Sequence, residues 1–244
     1  MSFTKQEISD NIKKIKKEIA DAAVACNRHP ESIKLLAATK TVDAQTINFA
    51  LDCGVDVIGE NKVQELLEKY EDINKSKCQI HFIGSLQTNK VKYIIDKVSL
   101  IHSVDSFKLA SEISKRAVAK NIVMDVLIEV NIGCEESKSG VLPDECINLI
   151  EASSTLPGIR IKGLMAIPPA PIISDVSQNI CNSEQYFQKI QQLIIDISEK
   201  KLDNVCMDIL SFGMSSDFKQ AITCGSTMVR IGSSIFGKRT YPAK

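Results

Sequence analysis

Short apolar runs alternate with stretches of helical periodicity along most of this chain. The runs fall at residues 33–39, 55–59, 80–84, 100–104, 125–131, 159–166, 206–212 and 228–232. Each is bounded by turn formers and predicts a strand. Between them, 44–53, 62–70, 89–97, 106–120 and 183–200 carry helical patterns. Regular strand–helix alternation argues a parallel sheet, and eight units with no left-over domain predict one closed (β/α)8 TIM barrel. An open doubly wound sheet is the alternative, but no G-x-G-x-x-G follows the first strand.

Ahead of the first strand, Ile8, Ile12, Ile15 and Ile19 recur at helical spacing, with Lys13, Lys14, Lys16 and Lys17 between them. Thr4 followed by Glu7 reads as a capping box, so an amphipathic helix starts there. Residues 1–30 are therefore expected to form an extra N-terminal helix packed on the barrel, and 1–244 are expected to form a single domain with no C-terminal β-domain. Glu7, Asp10, Glu18 and Asp21 argue against a signal or transit peptide. Pro168, Pro169 and Pro171, followed by a polar stretch to Asn182, mark the longest expected loop, which should be mobile.

Composition narrows the function. Lys plus Arg equals Asp plus Glu at 30 each, so the basic excess of a nucleic-acid binder is missing. Eight cysteines are scattered with no C-x-x-C pair and no metal-ligand spacing with the three histidines. They read as reduced thiols of a cytoplasmic protein, with no metal. No apolar stretch is long enough to cross a bilayer.

Chemistry in such a barrel gathers where strands end. Strand 1 runs Leu36-Ala37-Ala38-Thr39-Lys40, and the two-residue period puts Leu36, Ala38 and Lys40 on one face. An amine held at a barrel mouth can become a nucleophile toward carbonyls, or simply stand in water at a strand end. Strands 7 and 8 end in Gly213-Met214-Ser215-Ser216-Asp217 and Gly232-Ser233-Ser234. Ser215 or Ser216 would cap the next helix, with Asp217 in its first turn. Such loops can bind phosphate or be plain caps and turns. Arg230 lies inside an apolar strand and needs a partner, which could be a structural carboxylate, a phosphate or an aromatic nitrogen. Asn61 could donate to a ligand or cap a helix. His81 reads as a satisfied core histidine.

Several stretches together carry a resemblance. They are Ala37-Ala38-Thr39-Lys40-Thr41, Gly59-Glu60-Asn61-Lys62-Val63-Gln64-Glu65, His81-Phe82-Ile83-Gly84-Ser85-Leu86-Gln87-Thr88-Asn89-Lys90, Lys162-Gly163-Leu164-Met165, Gly213-Met214-Ser215-Ser216-Asp217-Phe218 and Gly225-Ser226-Thr227-Met228-Val229-Arg230-Ile231-Gly232-Ser233. In this order the chain resembles the pyridoxal phosphate homeostasis protein family, whose barrel is similar to the N-terminal domain of alanine racemase. Lys62 and Ser233 depart mildly from that pattern. The resemblance implies that Lys40 holds pyridoxal 5′-phosphate as a Schiff base and that Ser215, Ser216, Gly232 and Ser233 cradle its phosphate. It places Arg230 near the ring nitrogen or phosphate, and Asn61 near the ring hydroxyl. It implies a carrier that passes cofactor to pyridoxal-phosphate-dependent apo-enzymes, a monomer or weak dimer with no catalytic residue of its own. The alternative is an amino-acid racemase or decarboxylase using the same cofactor. Racemases of this kind add a β-domain and a tyrosine from a partner subunit, whereas Tyr70, Tyr93, Tyr186 and Tyr241 do not sit at evident strand ends. A cofactor-free Schiff-base aldolase fits the phosphate loops but not the family motifs.

Overall fold

A computed structural model of the chain describes residues 3–169 and 179–237. The strands are β1 (Lys34–Ala38), β2 (Val57–Glu60), β3 (Gln79–Phe82), β4 (Leu100–Val104), β5 (Met124–Val130), β6 (Ile159–Ala166), β7 (Val205–Ser211) and β8 (Met228–Ile231). All pair in parallel and in chain order, and β8 returns to β1 to close the barrel. In that closing pair Leu36 lies opposite Arg230 and Ala37 opposite Ile231. The expected (β/α)8 barrel is thus the architecture, with strand ends displaced by one or two residues.

Helices follow the strands: α2 (Ala44–Asp52), α3 (Val63–Lys69), α4 (Val91–Ile94), α5 (Phe107–Ala119), α6 (Pro143–Ser154), α7 (Asn179–Glu199), α8 (Phe218–Thr223) and α9 (Ser233–Phe236). The helix expected over 89–97 is shorter, a 3-10 turn at Thr88–Lys90 leading into the four residues of α4. Lys97 and Val98 both donate back to the Ile94 carbonyl, and Ser99 already donates to Ile80 of β3. The chain leaves the helix early to start the next strand. The loop expected to run to Asn182 falls largely on residues outside those described, as do Tyr241 and the side chain of Cys181.

Two separate cores hold the layers together. The larger lies between the outer face of the barrel and the helices, and it includes Ile8, Ile12, Ile15 and Ile19 of α1 (Lys5–Ala25). The capping box starts α1 as expected, with Thr4 N–H donating to Glu7 at 2.7 Å and Glu7 N–H to the Thr4 hydroxyl at 3.3 Å. Inside the barrel the apolar clusters are small: Leu36, Val57 and Met228 form one, Leu100, Leu127 and Met165 the other. Two residues further along these strands, on the same inward face, stand Arg230, His102 and Glu129, all buried. Gly163 of β6 has φ +148°, and a Cβ there would sit 1.9 Å from the Ile209 carbonyl, where the β6–β7 register shifts. Only glycine admits that close approach.

The seven described cysteines are free thiols, and burial pushes Cys146 up to about 12. Among the described residues no acidic, cysteine and histidine side chains cluster to hold a metal, and no helix is long and apolar enough to cross a membrane.

The docking of α1 is testable through Ile12, which is fully buried. Ile12→Ala should cost roughly 2–5 kcal/mol in urea unfolding, the usual range for deleting a buried aliphatic side chain. A loss under about 0.5 kcal/mol, typical of surface changes, would show that α1 is not part of the cooperative core.

Candidate functional site

The C-terminal ends of β1, β2, β7 and β8 meet at one rim of the barrel. At β1 the chain makes an arch, Thr39-Lys40-Thr41-Val42. Thr39 N–H donates to Gly59 O at 2.9 Å, and Val42 N–H closes the arch on Thr39 O at 3.0 Å. Thr41 is held in the left-handed region at φ 65° and donates its N–H to the Glu65 carboxylate at 3.1 Å. Beneath the arch, the Thr39 hydroxyl donates to the fully buried Glu60 carboxylate. Lys69 of α3 reaches the same Glu60 oxygen at 2.8 Å and donates to the carbonyls of Thr39 and Val42 at 2.9 and 3.0 Å. Burial raises the Glu60 pKa, against the opposing pull of Lys69 and Thr39. Lys40 itself is half-buried at the top of the arch.

Opposite it, β8 brings Arg230, Gly232 and Ser233 against β1. A Cβ at Gly232 would stand 3.1 Å from the Ala38 carbonyl and 3.3 Å from its Cβ. Two small residues therefore let the strand ends approach closely. Ser233 opens α9 and donates its hydroxyl to Ser215 at 3.2 Å, joining the loops after β7 and β8; Ser216 is exposed beside them. The expected serine cap is corrected here. Asp217 occupies the cap position of α8, and its carboxylate turns back to accept Met214 N–H at 2.6 Å, closing its own loop. Asn61, at the end of β2, caps nothing: its Oδ1 is buried without a hydrogen-bond partner.

Arg230 carries the largest electrostatic demand. It donates to the Ser211 carbonyl at 2.6 Å and hydroxyl at 2.8 Å, and to the Ala166 carbonyl at 3.1 Å. The partner left open by the sequence is thus a hydroxyl and two carbonyls, with no carboxylate in contact among the described residues. Burial lowers its pKa to about 10, against the more distant Glu129 and Asp217, so it remains a cation at neutral pH. Behind Ser211 runs a file of two histidines. His102 Nδ1 is 3.1 Å from the Ser211 hydroxyl, and His102 Nε2 is 3.0 Å from His81 Nδ1. His81 is buried and hydrogen-bonded, as expected. Burial drives its pKa down to about 3; His102 is also lowered well below the ordinary value, by burial first and then by His81 and Arg230. Both rings are neutral near pH 7.

Lys40, Asn61, Ser215, Ser216, Arg230, Gly232 and Ser233 all lie on strand ends or loops of this mouth. Sequence reading alone missed Glu60, Lys69, His102 and Ser211. The two-residue period from Leu100 and Ile209 could have placed His102 and Ser211 inside the barrel. Nothing local showed that Lys69 turns back to the arch. A cavity of about 610 Å³ also opens at the opposite end, between Lys34, Asp56, Gln79, His81, Asp125 and Asp208. Its three carboxylates are all paired, Asp56 with Lys34 at 4.0 Å, Asp125 with Arg160 at 2.7 Å and Asp208 with Lys162 at 3.1 Å. That end of a barrel carries stability rather than chemistry.

Chains similar to this one can now be set beside that geometry. The family model "Alanine racemase, N-terminal domain" matches residues 5–240. The pyridoxal phosphate homeostasis protein of Aquifex aeolicus is 44% identical over 232 residues, covering 95% of this chain and 98% of its own. That of Escherichia coli is 38% identical, covering 98% of this chain and 99% of its own. A solved protein of unknown function from Bifidobacterium adolescentis superposes with a TM-score of 0.89 at 36% identity, covering 95% of each chain.

The neutral histidines make acid stability a direct test. Each folded pKa lies below the ordinary 6.5, so the unfolded chain binds protons that the folded chain refuses. Their contribution is whole above about pH 6.5 and is lost as pH falls, at up to about 1.4 kcal/mol per pH unit per histidine. Raised carboxyls such as Glu60 and Glu129 act in the opposite sense. The comparison of variants isolates the histidines: urea midpoints of the parent should fall from pH 7 to 5 more steeply than those of His102→Gln. Equal slopes would show that His102 is not buried neutral.

Proposed function

This chain belongs to the pyridoxal phosphate homeostasis protein family, with the barrel of the alanine racemase N-terminal domain, and on that premise we propose that it binds pyridoxal 5′-phosphate covalently at Lys40 and hands it on intact. The observation that carries this reading is the closure of β8 on β1, which sets Gly232 and Ser233 beside the arch of Lys40.

The donor set fits the cofactor. Hydroxyls of Ser215, Ser216 and Ser233 and the backbone at Gly232 face one rim and suit the phosphate oxygens. Arg230 has only donors, so it suits an aromatic nitrogen lone pair or a phosphate. The Asn61 side chain, with its buried and unpartnered Oδ1, suits the ring hydroxyl. When bound, the cofactor supplies an aldehyde that a lysine amine converts to a Schiff base. Lys40 provides that amine, and the hydroxyl rim anchors the phosphate so that the aldehyde is held toward it.

Borohydride treatment of the loaded protein followed by peptide mapping should place the pyridoxyl group on Lys40, and Lys40→Ala should abolish it while remaining folded. Pyridoxal without phosphate should bind far more weakly, since each charge-assisted hydrogen bond is worth roughly 1.5–3 kcal/mol. An adduct at Lys62 or Lys162, or equal affinity for the two aldehydes, overturns the assignment.

Amino-acid chemistry on this cofactor needs a positioned acid or base beside it. His81 and His102 are neutral, sunk in the barrel and tied to one another. Tyr70, Tyr93 and Tyr186 lie at or within helices. The reading is therefore a carrier that gives cofactor to pyridoxal-phosphate-dependent apo-enzymes. The racemase-domain match keeps an amino-acid racemase or decarboxylase as the second reading. Mixing loaded protein with an apo-enzyme should move the cofactor and restore that enzyme's activity. Steady multiple turnover of any amino acid, lost in Lys40→Ala, would establish the second reading instead.

A further inference from the structure

The pair beneath the Lys40 arch ties the end of β2 to α3 and to the backbone of the arch at once. Lys69 projects from the last turn of α3, and its ammonium has three hydrogens and three acceptors: the Glu60 carboxylate at 2.8 Å, Thr39 O at 2.9 Å and Val42 O at 3.0 Å. The two carbonyls stand on either side of Lys40 in the chain. Glu60 is the last residue of β2, fully buried, and one of its oxygens takes both Lys69 and the Thr39 hydroxyl, while Oε2 has no partner. Taking a carboxylate out of water is costly, and removing its partner would leave an uncompensated buried charge. On the other side, Glu65 accepts the N–H of left-handed Thr41. Thr39, Thr41 and Val42 of the arch are thus tied to α3 or to the end of β2.

We propose that Lys69 and Glu60 are positioning residues that staple the arch in one conformation and so aim the Lys40 amine across the mouth at the cofactor's aldehyde. The inference rests on the cofactor reading above. In the step they assist, Lys40 Nζ bonds to the aldehyde carbon, and the carbonyl oxygen leaves as water with the two amine hydrogens. Lys69 and Glu60 exchange no proton with the reacting atoms, because the hydrogens of Lys69 are already committed to Glu60 and to the two arch carbonyls. Their effect is on the effective concentration of the amine at the aldehyde, a quantity that falls steeply when a reacting group is free to swing.

The test separates covalent capture from phosphate binding. Pyridoxine 5′-phosphate carries the ring and the phosphate but no aldehyde, and it reports on the rim alone. Schiff-base absorbance after mixing with pyridoxal 5′-phosphate reports on Lys40. Lys69→Met alone leaves Glu60 buried and unpaired and can unfold the chain, so the decisive variant is Lys69→Met with Glu60→Gln, which leaves no charge to bury. In that variant Schiff-base formation should slow on the order of tenfold or more, whereas pyridoxine 5′-phosphate affinity stays within about twofold of the parent. Lys69→Arg, which keeps a cation and several donors, should recover part of the rate. An unchanged rate in the folded double variant overturns the staple. Equal loss of both ligands also overturns it, since the pair would then merely brace the end of β2. A parent chain that binds pyridoxine 5′-phosphate yet forms no Schiff base overturns the cofactor-lysine reading, and the staple falls with it.

Discussion

Closure of the barrel, β8 against β1, is the constraint on which the mouth depends. In an open doubly wound sheet the first strand lies in the interior and the last at an edge, so the two would not pair and their ends would not share a site. Closure places Arg230 beside Leu36 and Gly232 beside Ala38. The approach is possible because position 232 has no side chain and position 38 has only a methyl. Function and fold therefore lean on the same contact, and a bulkier residue at either position would push apart both the sheet and the groups it delivers.

The interior of the barrel is where stability gives ground to chemistry. Barrels of this class are usually packed with layers of branched aliphatic side chains. Here the apolar clusters inside are confined to a few residues on each side, and the next inward positions are polar or charged. Compensation comes from outside the strands. The continuous core between barrel and helices, with the four isoleucines of α1 added to it, carries the hydrophobic burden that the interior does not. An N-terminal helix docked across α8 and α9 also backs the elements that follow the loops of Ser215 and Ser233.

Most of this architecture was legible in the hydrophobic pattern, because parallel strands buried on both faces read as continuous apolar runs. Lys40, Gly232 and Arg230 were legible too, since each breaks the pattern at a strand end or inside a strand. The serine cap of α8 was misread: the N–H groups of Asp217 and Phe218, which a Ser215 hydroxyl would have taken, donate to the Met214 carbonyl, and Asp217 stands at the cap position with its carboxylate accepting Met214 N–H. The Glu60–Lys69 pair was invisible for a different reason. Its members are nine residues apart on a strand and a helix, and only the turn between β2 and α3 decides that they face each other. The His81–His102–Ser211 file joins three strands, so a local period could turn His102 and Ser211 inward but could not show that they meet.

That file has a direction, and the direction follows from Arg230. A guanidinium only donates, so Ser211 accepts from it and the hydroxyl's own proton turns to His102 Nδ1, the remaining partner within reach. His102 then keeps its hydrogen on Nε2 and gives it to His81 Nδ1, which leaves His81 protonated on Nε2. Lone pairs thus point toward the cation all along the file. Three side chains stand where a column of oriented water would otherwise be needed, a solvation shell built into the sequence and unable to drain away or turn round.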